Sequence, residues 1–384
     1  MKIGIATYFK IKNYGSALQA FALRKFLMQQ GYSALFLNVK EQKPINDLFH
    51  KLYVGTVTLF KCAFNASARK TQAEIKALKK KTTEVISKNT AELFSNFEQE
   101  FLPSINIGRL ELKKMAKSDE FGAFICGSDQ IWSPLSPHLS GFKFLSFAPK
   151  EKRIAFSPSF GVSKIPSYNE SFVKKSLMKI DDISVREFDG AKIIKELTGK
   201  DALVTIDPTM LLTGEEWRNI YKEHSVLTPD EKYILCYFFD EPDEKDVLKI
   251  TEFARLKNLK IKVLSCSNKF LIENGAELID AGPMEFLALT DNAEYVFTNS
   301  FHGSVFSVLF EKKFIAFARN HSDTVKQTSR IETLLKRVNA DCFYNGETDG
   351  FVFPNTELFE SSVKDLRKTS AEYLTNCLEK RRLK

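Results

Sequence analysis

The first candidate for a catalytic residue in this sequence is His302, which precedes Gly303 in the stretch FTNSFHGSVF. Residues 294–300 have the pattern of a buried strand, and the apolar residues after Gly303 recur as one face of a helix. His302, with Ser300 and Ser304 beside it, is therefore predicted at a strand's carboxyl end and at a helix N-terminus. The helix dipole disfavours imidazolium there unless an anion is bound. His302 could serve only to pack in the core, but its position favours a role in proton transfer next to a bound anion.

A second polar group, Ser128, Asp129 and Gln130, follows the apolar run that ends at Gly127. Open α/β sheets bind ligands at this end of their strands, and Asp129 could hold or deprotonate a sugar hydroxyl. The alternative is that Ser128 or Asp129 caps a helix. Trp132 could likewise cover a sugar face or belong to the core.

A third candidate is Arg186, at the end of the apolar run ISV. A guanidinium is costly at such a position unless it meets an anion, and it offers paired donors to a carboxylate or phosphate. The alternative is a salt bridge to Glu187 or Asp189. Asp207, which precedes a proline, indicates turn chemistry.

The first strand is followed by a turn that contains Asn13, Tyr14 and Gly15. A glycine there lets a ligand or another backbone approach closely, and the helix that follows presents free N–H groups. The turn lacks the GxGxxG pattern of dinucleotide-binding loops. A structural turn and a ligand-binding loop remain equally open.

Ten apolar runs alternate with helical patterns, which is typical of parallel α/β units. We predict two Rossmann-like domains, residues 1–212 and 213–384, with a helical excursion at about 44–110 and a C-terminal helix that packs back on the first domain. The predicted strands are 2–8, 34–39, 122–127, 153–158, 182–187, 202–207, 233–239, 260–266, 294–300 and 313–319.

Composition excludes several protein classes. The chain has 384 residues with 43% hydrophobic and 27% charged, the profile of an ordinary globular protein. No apolar run is long enough to span a membrane, and the start lacks the pattern of a signal peptide. Scattered cysteines without a CxxC pair indicate neither zinc nor disulfides and fit a reduced, cytoplasmic setting. The net charge of +8 is spread widely, which favours small anions or an anionic lipid surface over nucleic acid.

The stretch 48–64 is apolar and flanked by lysines, and a polar helical pattern follows it to residue 100. One interpretation is a helical excursion that packs on the first domain. The other is a surface that meets the cytoplasmic face of the inner membrane or a lipid-linked substrate.

Taken together, four stretches resemble the polysaccharide pyruvyl transferase family. They are NYGSALQAFAL, FICGSDQIWSP, ISVRE with IDPTMLL and a later Trp, and EYVFTNSFHGSVFSVLF with the later SRI. Their order and spacing cover residues 1–335. One departure is Ser133, where the family typically has Asn after the Trp.

The resemblance implies a GT-B-like fold whose two parallel sheets face a cleft, with the first domain on the acceptor side. It also implies a reaction in surface-polysaccharide biosynthesis. The pyruvyl unit of phosphoenolpyruvate would close a cyclic ketal across two hydroxyls of a sugar, which could be lipid-linked, and phosphate would be released. In the family an Arg, the His of the His-Gly turn and a downstream basic residue surround phosphoenolpyruvate. Here these correspond to Arg186, His302 and, with Arg319 and Arg330 as alternatives, Lys326.

Phosphoenolpyruvate carries a carboxylate and a phosphate, so at least two cations should converge on it. We expect no metal and no cofactor. The catalytic candidates are His302 and Asp129. The candidates for binding phosphoenolpyruvate are Arg186, Lys326, Ser300, Gly303 and Ser304, and those for binding the acceptor are Asn13, Tyr14, Gly15, Ser128, Gln130 and Trp132. A nucleotide-sugar glycosyltransferase of the GT-B type is the alternative function, with a pyrophosphate at the helix N-terminus after His302.

Overall fold

Two parallel sheets organise the chain, one in each half. The computed structural model describes residues 1–39, 44–81, 86–136, 139–224, 226, 229–264, 268–318, 329–346 and 350–382, without the side chains of 44–51, 54 and 74–81. The strands are β1 (Lys2–Ala6), β2 (Ser33–Val39), β3 (Ser104–Ile107), β4 (Ala123–Cys126), β5 (Arg153–Ala155), β6 (Asp182–Val185), β7 (Leu203–Val204), β8 (Tyr233–Tyr237), β9 (Lys260–Val263), β10 (Glu277–Leu278), β11 (Tyr295–Thr298), β12 (Lys313–Phe317) and β13 (Phe343–Tyr344).

Helices connect the strands in both halves. They are α1 (Tyr14–Gln29), α2 (Pro44–Phe64), α3 (Ala66–Lys81), α4 (Lys88–Phe101), α5 (Arg109–Lys117), α6 (Ser167–Leu177), α7 (Phe188–Thr198), α8 (Gly214–Glu223), α9 (Glu244–Lys257), α10 (Lys269–Glu273), α11 (Pro283–Asn292), α12 (Phe301–Leu309), α13 (Ser329–Arg337) and α14 (Phe359–Arg382).

Both sheets have the Rossmann strand order. The first runs β3-β2-β1-β4-β5-β6-β7 and the second β10-β9-β8-β11-β12-β13, with every pair parallel. Strands β4 and β8 are buried along their whole length, as expected where helices cover both faces of a sheet. The prediction of two Rossmann-like, parallel-sheet units is confirmed, and the predicted boundary near residue 212 falls between the sheets.

Each of the ten predicted strands is present. Three short strands were not predicted: β3, β10 and β13. All three lie at the edges of their sheets. Both residues of β10 are exposed, so this edge strand lacks the apolar run that reveals a strand buried on both faces.

A single apolar cluster joins the two sheets through α1, α11, α12 and the segment after Asp207. Tyr14 stacks on Phe286 with ring centroids 4.8 Å apart, and the Phe21 ring packs against Trp217 at 5.5 Å. Because these contacts cross between the halves, they fix the loops at the carboxyl ends of both sheets relative to each other.

Helix α14 returns from the second half to the first sheet. Arg381 Nη2 lies 2.7 Å from Asp182 Oδ2 at the start of β6, and Ser370 Oγ accepts a hydrogen bond of 3.0 Å from Ile206 N. The C-terminal helix thus holds the segment that leads into Asp207.

The predicted excursion contains three helices, α2 to α4, rather than one long helix after residue 66. Lys61 Nζ donates to Asn169 Oδ1 at 2.8 Å, which attaches α2 to α6. In the described part of the chain, no helix is long and apolar enough to cross a membrane.

Candidate functional site

The carboxylate of Asp207 is the centre of a polar cluster between the two sheets. It is fully buried, and its Oδ2 accepts hydrogen bonds from Arg186 Nη1 at 2.6 Å and Ser128 Oγ at 2.8 Å. His302 Nε2, from the second half, lies 3.5 Å from the same oxygen. Oδ1 accepts from the backbone and hydroxyl of Thr209 at 3.1 and 2.8 Å. One carboxylate therefore connects the ends of β4, β6 and β7 to the start of α12.

The electrostatics of this cluster keep Asp207 ionised. Burial alone would raise the pKa of the Asp207 carboxyl, but His302, Arg186 and the Thr209 amide together hold that pKa well below its usual range. His302 Nε2 and Asp207 Oδ2, which lie 3.5 Å apart, form an ion pair when the imidazole is protonated. Asp207 is thus placed to stabilise a positive charge on the imidazole.

Arg186 is buried and only partly satisfied. Its Nη1 pairs with Asp207, but Nε and Nη2 have no hydrogen-bond partner among the described residues. Its guanidinium carbon lies 4.2 Å from the centre of the Phe301 ring, next to His302 in sequence. The predicted alternative of a salt bridge to Glu187 or Asp189 is wrong, because the partner is Asp207. Unpaired guanidinium donors in a buried position indicate a site for an anion.

His302 is 6% exposed and lies between the two halves of the chain. A Cβ on Gly15, at the first turn of α1, would overlap His302 Nδ1 and Cγ. Only a glycine therefore lets α1 approach the imidazole closely, which gives Gly15 a role in placing His302. The buried Nε2 has no hydrogen-bond partner among the described residues and faces Asp207 Oδ2 at 3.5 Å.

The residues around His302 hold the start of α12 in place. Ser300 Oγ accepts from Gly303 N at 3.2 Å and caps the helix, and Ser304 Oγ donates to Ser300 O. Both Gly303 and Ser304 are buried, and a Cβ on Gly303 would overlap Thr298. Of these three predicted phosphoenolpyruvate contacts, Ser300 lines the cleft.

Asp129 lies opposite His302 in the first half. Its Oδ2 accepts from Ser16 Oγ at 2.5 Å and its Oδ1 from Gln130 N at 2.8 Å. The proposed helix cap at Ser128 or Asp129 is wrong, because residues 127–132 form turns and no helix starts there. Ser128 instead donates to Asp207 and to Ser157 O, which builds the polar cluster.

Of the six residues predicted to bind the acceptor, some line the cleft and others are buried in the protein. Asn13 and Gln130 line the cleft, and Gly15 packs against His302. Tyr14 is buried and donates to Ala281 O at 3.0 Å. Trp132 is fully buried, stacks on Phe144 at 5.2 Å and donates to Lys143 O, so it belongs to the core and does not face the cleft.

The cleft that contains His302 has a volume of about 290 Å³. Its walls come from both halves: Tyr8, Ile11, Asn13, Ser16, Asp129 and Gln130 on one side, and Phe239, Ser300, Phe301, His302 and Arg330 on the other. Arg330, from α13, is the downstream cation that the structure places at the cleft. Arg319 and Lys326 lie outside the described residues.

Two residues that the sequence interpretation did not assign to the site organise it. Asp207 does cap the turn Pro208–Leu211, as its position before proline predicts, but it also binds Arg186 and faces His302. Gln19 is fully buried. Its Nε2 donates to Thr7, to Tyr8 O and to Ser16 O, and its Oε1 accepts from Ser128 N. The role of Asp207 could have been predicted from the pairing of β6 with β7. That pairing brings Arg186 and Asp207, which follow the carboxyl ends of these two strands, close together.

Comparisons with known proteins identify the family. The sequence profile described as polysaccharide pyruvyl transferase matches residues 13–321, a range that contains Asn13, Asp129, Arg186, Asp207 and His302. No curated protein matches the sequence.

Solved structures resemble the chain weakly over its whole length. UDP-GlcNAc 2-epimerase from Neisseria meningitidis, bound to UDP-GlcNAc, has a TM-score of 0.49 and 10% identity over 98% of this chain and 94% of its own. UDP-GlcNAc 2-epimerase from Methanocaldococcus jannaschii, in complex with UDP-GlcNAc and UDP, has a TM-score of 0.48 and 14% identity over 99% of each chain. Acinetobacter baumannii MurG has a TM-score of 0.42 and 10% identity over 99% of each chain. At these scores we draw no functional conclusion from them.

The profile spans most of the sequence, including the turn at Asn13, the Asp129 segment, Arg186 with Asp207, and the His302 turn. The chain belongs to the polysaccharide pyruvyl transferase family.

Proposed function

We propose that the protein transfers the pyruvyl unit of phosphoenolpyruvate to two hydroxyls of a sugar in a surface-polysaccharide precursor, closing a cyclic ketal and releasing phosphate. The observation that carries the proposal is the cluster of Arg186, Asp207 and His302. It combines a buried guanidinium with unpaired donors and an imidazole with an unpaired Nε2 beside an ionised carboxylate. This cluster supplies anion binding and proton transfer within one site.

The reaction needs both functions. A first hydroxyl oxygen bonds to C2 of phosphoenolpyruvate while C3 gains a proton and becomes a methyl group. The second hydroxyl oxygen then bonds to C2, and the bond from C2 to the phosphate oxygen breaks. Of the two hydroxyl protons, one ends on C3 and the other leaves with phosphate, so no oxidant or reductant is required.

We assign His302 to move these protons. An imidazole takes up and releases a proton near neutral pH, and Asp207 at 3.5 Å stabilises it while it is charged. Its neighbour Arg186 offers Nε and Nη2 to the carboxylate or phosphate of the donor. Arg330 at the cleft wall, or Lys326 by the family resemblance, supplies the second cation.

Asp129 is proposed to orient the acceptor. Its carboxylate lines the same cleft as His302 and is held by Ser16 and Gln130 N. From there it accepts a hydrogen bond from a sugar hydroxyl and directs it toward the donor. The cations around the donor replace a metal electrostatically, so we propose that the reaction needs none.

The exposed face of α2 supports contact with the cytoplasmic face of a membrane, where a lipid-linked acceptor would be found. Leu59, Phe60 and Phe64 are 71%, 67% and 79% exposed. An exposed apolar helix face of this kind binds a lipid surface. Phe60→Ser should reduce sedimentation with phosphatidylglycerol vesicles, whereas Leu248→Ser on the exposed side of α9 should leave it unchanged. Equal sedimentation of both variants and wild type would contradict this contact.

The donor is tested by binding. Calorimetric titration should show that phosphoenolpyruvate binds the wild type and that UDP- and GDP-sugars do not. Binding of a nucleotide sugar without phosphoenolpyruvate would support the glycosyltransferase alternative instead. For turnover, the product mass should equal acceptor plus pyruvate less water, with one phosphate released per ketal.

A further inference from the structure

A second cavity, of about 490 Å³, lies at the carboxyl ends of β1 and β2 in the first half. Its walls are the segment 6–11, the end of β2, α5 and the segment 140–147. It shares Tyr8 and Ile11 with the His302 cleft, so the two spaces meet at these side chains. No role described above uses this cavity.

The cavity is lined by cations and, among the described residues, by no aspartate or glutamate. Lys10, Arg109, Lys113 and Lys143 line it. Glu98, 2.6 Å from Lys10, offsets the charge of that lysine. The positive charge of the cavity is therefore assigned to Lys113 and Lys143. A concave site with this charge attracts an anionic ligand.

Aromatic rings form much of the remaining wall. Tyr8, Phe9, Phe142 and Phe147 line the cavity, and Tyr8 and Phe142 are half-buried. Flat rings in a pocket that also carries a few polar side chains suit the C–H face of a sugar. Cations beside aromatic rings therefore indicate a saccharide that carries a negative charge.

A lysine and a tyrosine stand where the cavity meets the His302 cleft. Lys143 Nζ donates to Tyr8 Oη and lies 4.1 Å from the centre of the Tyr8 ring. Burial lowers the pKa of Lys143 to about 8, although nearby Asp129 opposes that shift. Burial and then Asp129 raise the pKa of Tyr8 to about 12. Tyr8 is thus a neutral hydroxyl shared by both spaces, suited to hydrogen-bond a sugar.

We propose that this cavity is the acceptor site and that it takes an anionic saccharide, a sugar with a phosphate ester or a carboxylate. This inference rests on the proposed function, because it names where the acceptor of that reaction binds. The anionic group lies near Lys113, the sugar ring lies against the aromatic wall, and the hydroxyls to be joined pass Tyr8 toward His302.

The test measures sugar binding in the presence of phosphoenolpyruvate. The probes are the α-1-phosphates of glucose, galactose and mannose, the corresponding uronates, and the methyl α-glycosides as neutral controls. At least one phosphate or uronate should bind the wild type about tenfold more tightly than its neutral counterpart. The two anionic series distinguish a phosphate-bearing from a carboxylate-bearing acceptor.

Two variants locate the binding site. Lys113→Ala should weaken binding of the anionic sugar about three- to fivefold, as expected for one exposed charge, and Lys143→Met about tenfold. Lys114→Ala, the next residue on the exposed surface of α5 and outside the cavity, is the matched control and should bind like the wild type. Thermal unfolding of each variant shows whether it folds, and Lys113→Ala keeps the test valid if Lys143→Met does not.

Several results would overturn the inference: no anionic sugar binds, neutral and anionic sugars bind equally, or Lys113→Ala binds no more weakly than Lys114→Ala. Failure of the proposed function is separable from these outcomes. Sugar binding that depends on Lys113 without any binding of phosphoenolpyruvate would refute the donor and keep the anionic site. Phosphoenolpyruvate binding without the lysine dependence would refute only the acceptor site.

Discussion

Replacing Asp207 by asparagine should be among the most damaging single-atom changes in this chain. The carboxylate accepts hydrogen bonds from Arg186, Ser128 and Thr209 and is fully buried. Without its charge, Arg186 is left as an uncompensated buried cation, which costs about 3–5 kcal/mol. We therefore expect Asp207→Asn to lower the free energy of unfolding by that amount.

The matched control is Asp181→Asn. Asp181 is 57% exposed and pairs with Lys150 at 2.8 Å, a surface ion pair that contributes about 1 kcal/mol or less. Urea unfolding of both variants measures the difference. Removing the buried cation as well, in Asp207→Asn/Arg186→Met, should recover part of the loss. Two results would refute the reasoning. One is a loss of unfolding free energy in Asp207→Asn no larger than that in Asp181→Asn. The other is a loss in the double variant equal to the sum of the losses in the two single variants.

The same carboxylate sets an acid limit on stability. Because its folded pKa lies well below its usual range, Asp207 contributes stability that is complete above the unfolded pKa of about 4 and is lost as the pH falls toward the folded pKa. Unfolding measured from pH 3 to 7 should show an acid loss in the wild type that is reduced in Asp207→Asn. An equal acid loss in both proteins would contradict this assignment.

Three further outcomes follow from the site. Gly15→Ala should lower turnover about a hundredfold, because displacing His302 by about 1 Å is that costly. Gly55→Ala, where a Cβ meets open space, should leave turnover unchanged, and equal kcat values in the two variants would contradict the packing argument. Arg186→Gln should weaken phosphoenolpyruvate binding about tenfold or more in calorimetry while binding of the anionic sugar stays constant; an equal loss of both ligands would indicate a structural arginine. Since the pKa of Lys143 is about 8, binding of an anionic sugar should weaken as the pH rises through that value, and the same pH dependence in Lys143→Met would exclude Lys143 as its cause.

The elements were more predictable from sequence than the contacts between them. Strands such as β4 and β8 are apolar throughout because helices cover both sheet faces, so their runs are visible in the sequence. The same logic misses β10, whose two residues are exposed at a sheet edge. His302 was placed at a strand end beside a helix by local patterning alone, and the structure puts it there.

The central role of Asp207 in the site could not be predicted from the neighbouring sequence. Asp207 looked like a turn residue because its hydrogen bond to Thr209 is local, whereas its contacts with Ser128, Arg186 and His302 depend on the tertiary fold. Trp132 is the converse case, a residue predicted to bind the acceptor that belongs to the core. An aromatic next to polar residues suits either a sugar platform or a core, and only packing against Phe144 decides for the core.

The most direct test of the account is phosphate release from phosphoenolpyruvate by the wild type and by His302→Ala, with the anionic saccharides present and the product identified by mass. We predict that the wild type forms one ketal per phosphate released. His302→Ala should still fold and bind phosphoenolpyruvate but lose turnover by about a hundredfold or more, the range of a removed acid–base group. Ketal formation by His302→Ala at a rate near that of the wild type would contradict the central claim that this imidazole moves the protons.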